Sequence, residues 1–191
     1  MRTFIAIELS AEIKAYLSRL QEKLKLAQAD VKWVAPGNIH LTLKFLGEID
    51  DKTKDNVTRI MEDISKDKTP FYLNIASIGA FPRIESPRVI WVGIDKGDTE
   101  VKEIAKALEE KLSKIGIPAE DKPFSSHITI GRTKSSKNRN NLAKSMESLK
   151  ENAAEGITEL RVEKITLFKS TLTPKGPIYE VLKEAYLKNL I

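Results

Sequence analysis

The chain contains the same short pattern twice, and that pattern holds its only two histidines. The segment HLTL begins at His40 and the segment HITI begins at His127, so a threonine follows each histidine two residues later. Alternate residues of a β-strand project from opposite faces, which puts the histidine and the threonine of each segment on one face. The sequence therefore predicts two half-buried strands, each presenting an imidazole and a hydroxyl on its polar side.

The apolar spacing elsewhere predicts strands alternating with helices. A strand near 4–9 is followed by a helix that Ser10 caps, and the same order recurs in the second half. Each half gives strand, helix, histidine strand, helix, strand, with nearly equal spacing. We therefore expect one domain over 1–191 built from an internal duplication of approximately 1–80 and 87–170.

Composition limits the class of protein. The 191 residues are 41% hydrophobic, which is enough for a core. They include no cysteine, which excludes disulfides and thiol catalysis. No apolar run approaches the roughly 18 residues of a membrane span, and the first residues are typical of a strand rather than a signal peptide. We expect a soluble, cytoplasmic protein whose net charge of +5 suits a polyanionic ligand.

The two histidines together favour acid–base chemistry. Imidazole titrates near pH 6.5, so one copy can accept a proton while the other donates one. Either histidine alone would more often be a packed or surface residue than a catalyst, and a zinc site is the rival explanation for the pair. Zinc would need a third ligand, yet there is no His-Glu-x-x-His motif and Glu48 is a full strand away from His40. We therefore expect no metal.

The threonines add a second indication. One half-buried threonine needs no function, because threonine is simply a good strand former. Its repetition beside each imidazole places two hydroxyl donors where charge grows on a phosphoryl group in its transition state. The pattern thus favours phosphate over a planar carbonyl.

The motifs resemble a known family. The segments HLTLKFLG from His40 and HITIGR from His127 resemble the paired HxTx motifs of the two-histidine phosphoesterase superfamily, in particular its RNA 2′,3′-cyclic phosphodiesterases, also called 2′-5′ RNA ligases. Supporting landmarks are RTFIAI from Arg2, WV from Trp33, a GAFP turn from Gly79 and PRVIW from Pro87. The resemblance implies a bilobal α+β fold in which two antiparallel sheets line a central cleft, with helices outside and no cofactor.

The resemblance also implies roles. His127 would activate water as the base, His40 would protonate the departing 3′ oxygen, and Thr42 and Thr129 would hold the phosphoryl oxygens. The product would be a 2′-phosphate, and an RNA 5′-hydroxyl in place of water would give a 2′-5′ linkage. The implied partners are RNA ends bearing a 2′,3′-cyclic phosphate or a 5′-hydroxyl, and we expect a monomer that binds no membrane.

Two cations are further candidates for substrate binding. Relatives often carry an arginine at the position of Arg132, but strict alternation turns it away from His127 unless the strand bulges or ends near Gly131. Lys44 lies four residues after His40, so strict alternation places both on the same face of the strand. It is therefore either a phosphate contact or a solvated residue. The basic segment 132–144 is either a solvated loop or a track for an RNA backbone.

Aromatic residues and alternative functions complete the expectations. Phe45 and Trp91 are predicted to pack in the core, whereas Phe81 in its turn is accessible for base stacking. Two other functions stay open. One is a non-catalytic module that binds RNA ends, and the other is a phosphodiesterase for small cyclic nucleotides or 2′-5′ oligonucleotides.

Overall fold

The computed structural model describes residues 1–151, 158–174 and 176–188. Residues 152–157, 175 and 189–191, which belong to the expected domain and in part to its second repeat, lie outside the described residues. The strands are β1 (Arg2–Glu8), β2 (Val31–Trp33), β3 (His40–Glu48), β4 (Phe71–Arg83), β5 (Ser86–Ile94), β6 (His127–Thr133), β7 (Glu159–Val162), β8 (Lys164–Thr173) and β9 (Gly176–Tyr186). The helices are α1 (Ala11–Lys25), α2 (Asp51–Lys66), α3 (Asp98–Ser113) and α4 (Arg139–Glu151).

The strands form two antiparallel sheets, as the α+β prediction requires. The first sheet has the order β3-β1-β8-β9 and the second β2-β6-β5-β4-β7. Strand β4 pairs with β5 in the second sheet, whereas β8 pairs with β1 in the first. The strand that ends each half of the chain therefore crosses into the sheet containing the other histidine strand, so the two lobes are interlocked.

Local capping and burial explain the helices that cover the sheets. Ser10 accepts a hydrogen bond from the Ile13 amide at 3.3 Å, and Asp50 accepts one from the Thr53 amide at 2.8 Å, so α1 and α2 begin where the caps satisfy free amides. Helix α2 packs against β8 and β9, and α4 packs against β4 and β5. Most of the buried apolar side chains form one continuous core between helices and sheets, and Phe4, Ala6 and Phe168 form a second, smaller cluster.

The predicted GAFP turn is wrong. Strand β4 continues to Arg83 and carries Gly79 and Phe81 within it. Gly79 lies under the ring of Trp91, and a Cβ at this position would come within 2.3 Å of that ring. The glycine is therefore required for close packing of a neighbouring side chain, not for a turn.

Strand β3 contains two single-residue bulges, at Leu43 and at Leu46. In its pairing with β1, Ile5 opposes Lys44 and Ala6 opposes Thr42, so Leu43 has no cross-strand partner. The extra residue at Leu43 shifts the alternation of side chains by one position through Lys44 and Phe45, up to the second bulge at Leu46.

Strand β6 contains a bulge at the corresponding position of the second motif. In its pairing with β5, Ile90 opposes Gly131 and Trp91 opposes Thr129, which leaves Ile130 without a partner. Both histidine strands therefore change register one residue after their threonine.

Candidate active site

The two histidine strands meet across the cleft between the sheets. Residues of β3 and β6 approach each other directly, and a cavity of about 300 Å³ lies between them. His40 and Thr42 border it from one side, and Thr129 and Arg132 from the other. The remaining lining residues are Lys32, Trp33, Val34, Ala35, Asn38, Phe45, Gly176, Pro177 and Tyr179. The fold thus brings four of the six candidate residues to one cavity.

The two imidazoles are held in the same way. The Nδ1 atom of His40 lies 2.8 Å from the Asn38 carbonyl oxygen, and Nδ1 of His127 lies 2.7 Å from the Ser125 carbonyl oxygen. A carbonyl oxygen only accepts hydrogen bonds, so Nδ1 of each ring carries the proton. Nε2 of each histidine is therefore the atom left to gain or lose a proton. The carbonyl partner is the residue two positions earlier in both cases.

His40 is enclosed by aromatic rings. Its ring stacks on Phe4 with centroids 4.7 Å apart, and the ring of Tyr179 meets it edge-on at 5.4 Å. Burial lowers the pKa of His40; the bond to the Asn38 carbonyl opposes this shift, and the charge of Lys14 adds to it. The net direction is downward, so the free protein favours the neutral ring near neutral pH.

His127 is half-buried and does not border the cavity itself. It opposes Gly93 of β5, as Thr129 opposes Trp91, so the histidine and the threonine share one face of the second sheet. Its ring meets Phe81 edge-on at 5.1 Å. Phe81 therefore packs beside the second histidine, where we predicted an accessible turn residue.

The bulge in β6 brings Arg132 to the cleft. Shifting the alternation at Ile130 puts Arg132 on the face of Thr129, so the bulge that Arg132 needs in order to reach the cleft is present. Gln21, only 2% exposed, donates from its side-chain amide to the Ile130 and Val34 carbonyl oxygens, each at 2.8 Å. This buried amide ties the bulge to the chain that leaves β2.

The expected phosphate contact from Lys44 needs correction. The bulge at Leu43 turns Lys44 away from the cleft and into the protein, where its side chain is 2% exposed. Its ammonium group lies 2.6 Å from a Glu109 carboxylate oxygen and donates to the Pro118 carbonyl oxygen at 2.8 Å. Lys44 thus fastens β3 to α3 and the segment after it.

The same bulge brings an aromatic residue to the site in place of Lys44. Phe45, predicted to pack in the core, borders the cavity and is 57% exposed. Lys32, Asn38 and Tyr179 also border it and were not among the predicted site residues. Asn38 could be identified from the sequence by its position two residues before His40. The others reach the cleft only through long-range strand pairing.

Most of the basic segment 132–144 leads away from the cavity. Of its residues, only Arg132 borders that space. The Lys134 amide donates to the Asp30 carbonyl oxygen at 2.8 Å, and the Asn138 side chain donates to the Gln28 carbonyl oxygen at 2.9 Å. The start of this segment is therefore fastened to the loop that precedes β2.

The described part of the chain has neither a metal-binding cluster nor a membrane-spanning helix. No group of three or more His, Cys, Asp or Glu side chains is arranged there to hold a metal ion. None of its helices is long and apolar enough to cross a membrane.

Fold and site together define an α+β protein whose central cleft holds paired histidine and threonine strands, an arrangement suited to phosphate esters. The model of the LigT like Phosphoesterase family matches residues 7–91 and 92–179. The chain belongs to this family.

Relatives match over nearly the whole chain. A Methanocaldococcus jannaschii protein named RNA 2′,3′-cyclic phosphodiesterase is 38% identical over 184 residues, covering 96% of this chain and 99% of its own. A Thermotoga maritima protein of the same name is 37% identical over 184 residues, covering 96% and 94%.

Solved structures share the fold. A Thermus thermophilus protein superposes with a TM-score of 0.79 at 29% identity, covering 98% of both chains. Escherichia coli LigT in complex with 3′-AMP gives a TM-score of 0.78 at 25% identity, also covering 98% of both chains.

Proposed function

We propose that this protein hydrolyses the 2′,3′-cyclic phosphate at RNA ends to a 2′-phosphate without a metal ion. The observation that carries the proposal is the matched pair of imidazoles, each fixed through Nδ1 to a backbone carbonyl on strands that meet across one cleft. The names of the Methanocaldococcus and Thermotoga relatives support this substrate.

The reaction needs one proton acceptor and one proton donor. His127 Nε2 takes a proton from water as the water oxygen bonds to phosphorus. The bond from phosphorus to the ribose 3′ oxygen breaks, and His40 Nε2 gives its proton to that oxygen. The phosphate stays on the 2′ oxygen, and the two histidines exchange protonation states before the next turnover.

Thr42, Thr129 and Arg132 stabilise the reacting phosphate in this proposal. All three border the cavity. The two hydroxyls come from facing strands, and the guanidinium lies on the same strand as Thr129. Hydroxyl donors can follow the charge that builds on the non-bridging oxygens, and a guanidinium can bind two of those oxygens at once. The negative charge of bound substrate also favours the protonated form of His40, which the free protein disfavours.

The same groups serve ligation. If an RNA 5′-hydroxyl occupies the place of water, His127 deprotonates it and a 2′-5′ linkage forms, while in the reverse direction the histidines exchange roles. One chain supplies both histidine strands, so the site is complete in the monomer that we propose. An RNA-end substrate and a chain without cysteine fit a cytoplasmic location.

A second candidate substrate is a small cyclic nucleotide. The cavity of about 300 Å³ is at the lower end of the range for ligand pockets, so one nucleotide fills it. A nucleoside 2′,3′-cyclic phosphate presents the same reacting group as an RNA end.

The test is an assay of purified protein with an oligoribonucleotide ending in a 2′,3′-cyclic phosphate and with a nucleoside 2′,3′-cyclic phosphate. Each is incubated with and without a chelator, and phosphorus NMR identifies the hydroxyl that keeps the phosphate. We expect a 2′-phosphate product that forms equally with chelator present.

Three results contradict parts of the proposal. A 3′-phosphate product overturns the choice of leaving group. Activity lost with chelator and restored by zinc overturns the metal-free mechanism. Salt-sensitive binding of the oligonucleotide without any product favours a non-catalytic RNA-end module instead.

A further inference from the structure

We propose that Lys32 and Phe45 form a subsite for the nucleoside that bears the reacting phosphate, in which Phe45 supports the base and Lys32 binds the 5′-phosphate. This inference rests on the proposed function, because it takes the reacting phosphate to lie at the threonines and Arg132. The subsite would give the protein a preference for a nucleotide that carries a 5′-phosphate in addition to the reacting phosphate.

The charge of the cavity supports an anion at this place. Lys32 and Arg132 border it, and no aspartate or glutamate is among the described residues that do so. Neither cation forms an ion pair with a carboxylate within residues 1–151, 158–174 and 176–188. Many other lysines of this part of the chain have a carboxylate partner, as Lys44, Lys96 and Lys183 do. Two unneutralised cations in one cleft are suited to more than one phosphate.

Strand pairing fixes the position of Lys32. It directly opposes Arg132 in the β2–β6 ladder, and opposed residues of an antiparallel pair project from the same face. Lys32 therefore faces the cleft as well. It lies one strand farther from the centre of the second sheet than Arg132, a distance of about 5 Å. A phosphate held by Arg132 and the threonines leaves Lys32 to a second anionic group beside it.

Phe45 provides the complementary flat surface. It lies on β3 two ladder positions beyond Thr42, roughly 7 Å along the strand, because the bulge at Leu43 adds a residue without a partner. Its ring is 57% exposed and tilts against Phe4 with centroids 6.1 Å apart. A supported but open aromatic ring is typical of surfaces on which unpaired bases stack.

These positions agree with the chemistry of one nucleotide. The reacting phosphate is attached to the 2′ and 3′ oxygens of the ribose, whereas the base is attached at C1′ and the 5′ oxygen at C5′ of the same sugar. A ligand anchored at Thr42 and Thr129 can then reach Phe45 with its base and Lys32 with its 5′-phosphate. In RNA, that 5′-phosphate is the phosphodiester to the preceding nucleotide.

The test measures binding without turnover. Isothermal titration calorimetry on the full chain compares adenosine 2′-phosphate with adenosine 2′,5′-bisphosphate at fixed ionic strength. We expect wild-type protein to bind the bisphosphate about tenfold more tightly, as one contact between charged groups provides. Lys32→Ala reduces this ratio to near one, while the matched control Lys106→Ala, a charge removed from the exposed face of α3, keeps it.

Phe45 is tested with the same two ligands. Phe45→Ala weakens both by a similar factor of about ten, because stacking involves the base that they share, and Phe45→Tyr restores the binding of both. Equal affinity of wild type for the two ligands, or a preference that survives Lys32→Ala, overturns the subsite. Because no reaction occurs, these outcomes are independent of the cyclic phosphate assay, so subsite and proposed function fail separately.

Discussion

Phe45 and Arg132 occupy equivalent positions on the two histidine strands. Each lies three residues after the threonine of its motif and two residues after a single-residue bulge, and both face the cleft. The local structure is repeated, but the side chains differ, with an aromatic ring on one wall and a guanidinium on the other. The cleft therefore presents an apolar surface on one side and a positive charge on the opposite side.

Arg132 offers the first prediction. Arg132→Ala should reduce kcat/KM for a 2′,3′-cyclic phosphate by about tenfold to a hundredfold, as expected for a lost charge-assisted contact to phosphate. Arg132→Lys keeps the charge but loses the two-pronged geometry, so it should recover only part of the activity. Steady-state kinetics measures both, and full activity of the alanine variant would remove Arg132 from the site.

The second prediction concerns the histidines. His40→Ala and His127→Ala should each reduce kcat by at least about a hundredfold, because each removes a proton-transfer group. Circular dichroism should report an unchanged fold, since neither histidine is fully buried. Since the two groups act as a unit, the double variant should be little worse than either single variant. Near-normal turnover in either single variant contradicts the mechanism.

The third prediction follows from the lowered pKa of His40. With only two histidines, proton NMR should resolve both rings, and the His127→Ala variant assigns the remaining signal. We expect His40 to titrate below its usual pKa near 6.5 in the free protein, because burial is the largest cause of its shift. Lys14→Gln should raise this pKa, since the Lys14 charge disfavours the imidazolium.

The same shift has consequences for rate and stability. As the proton donor, His40 should give an alkaline limb at lower pH in kcat/KM than in kcat, because bound phosphate favours the protonated ring. The folded protein disfavours imidazolium relative to the unfolded chain, so His40 should make wild type lose stability relative to His40→Gln as the pH falls below about 6.5. A pKa of His40 at or above its usual value would contradict both expectations.

Sequence patterns predicted the local features of the site well. The His-x-Thr alternation located both strands, and the Ser10 cap and apolar spacing located α1. These features depend on residues a few positions apart. The expectation that Arg132 needs a bulge also came from strict alternation, although alternation alone does not say where a bulge occurs.

Residues whose placement depends on distant pairing were not predicted. Lys44 and Phe45 were assigned to the wrong faces because the bulge at Leu43 is created by register with β1, not by a local signal. Lys32 reaches the cleft only because β2 pairs with β6, about a hundred residues later in the chain. Gly79 looked like part of a turn, since the ring of Trp91 that requires it lies on another strand.

The fourth prediction separates structure from catalysis at Lys44. Lys44→Ala should lower the free energy of unfolding by about 2 kcal/mol, because it leaves Glu109 and the Pro118 carbonyl without their ammonium partner. Burial alone would raise the pKa of Glu109, and the Lys44 ammonium group holds it lower, so the variant should also raise that pKa. Urea unfolding measures the change, and kinetics at low temperature should show KM within about twofold of wild type. An unchanged stability with a raised KM would return Lys44 to the phosphate site.

The last prediction concerns Gln21, which holds the bulge beside Arg132. Gln21→Leu removes the amide that donates to the Ile130 and Val34 carbonyl oxygens, and should cost about 1–3 kcal/mol of stability. Gln21→Glu keeps the shape but directs a carboxylate at two carbonyls, so the pKa of that carboxyl should be raised on folding. Its protonated form can still donate one hydrogen bond, and the variant should therefore lose stability relative to wild type as the pH rises above about 4.3. Urea unfolding across this pH range checks the slope, and parallel stability curves for Gln21→Glu and Gln21→Leu would mean that the amide does not support the bulge.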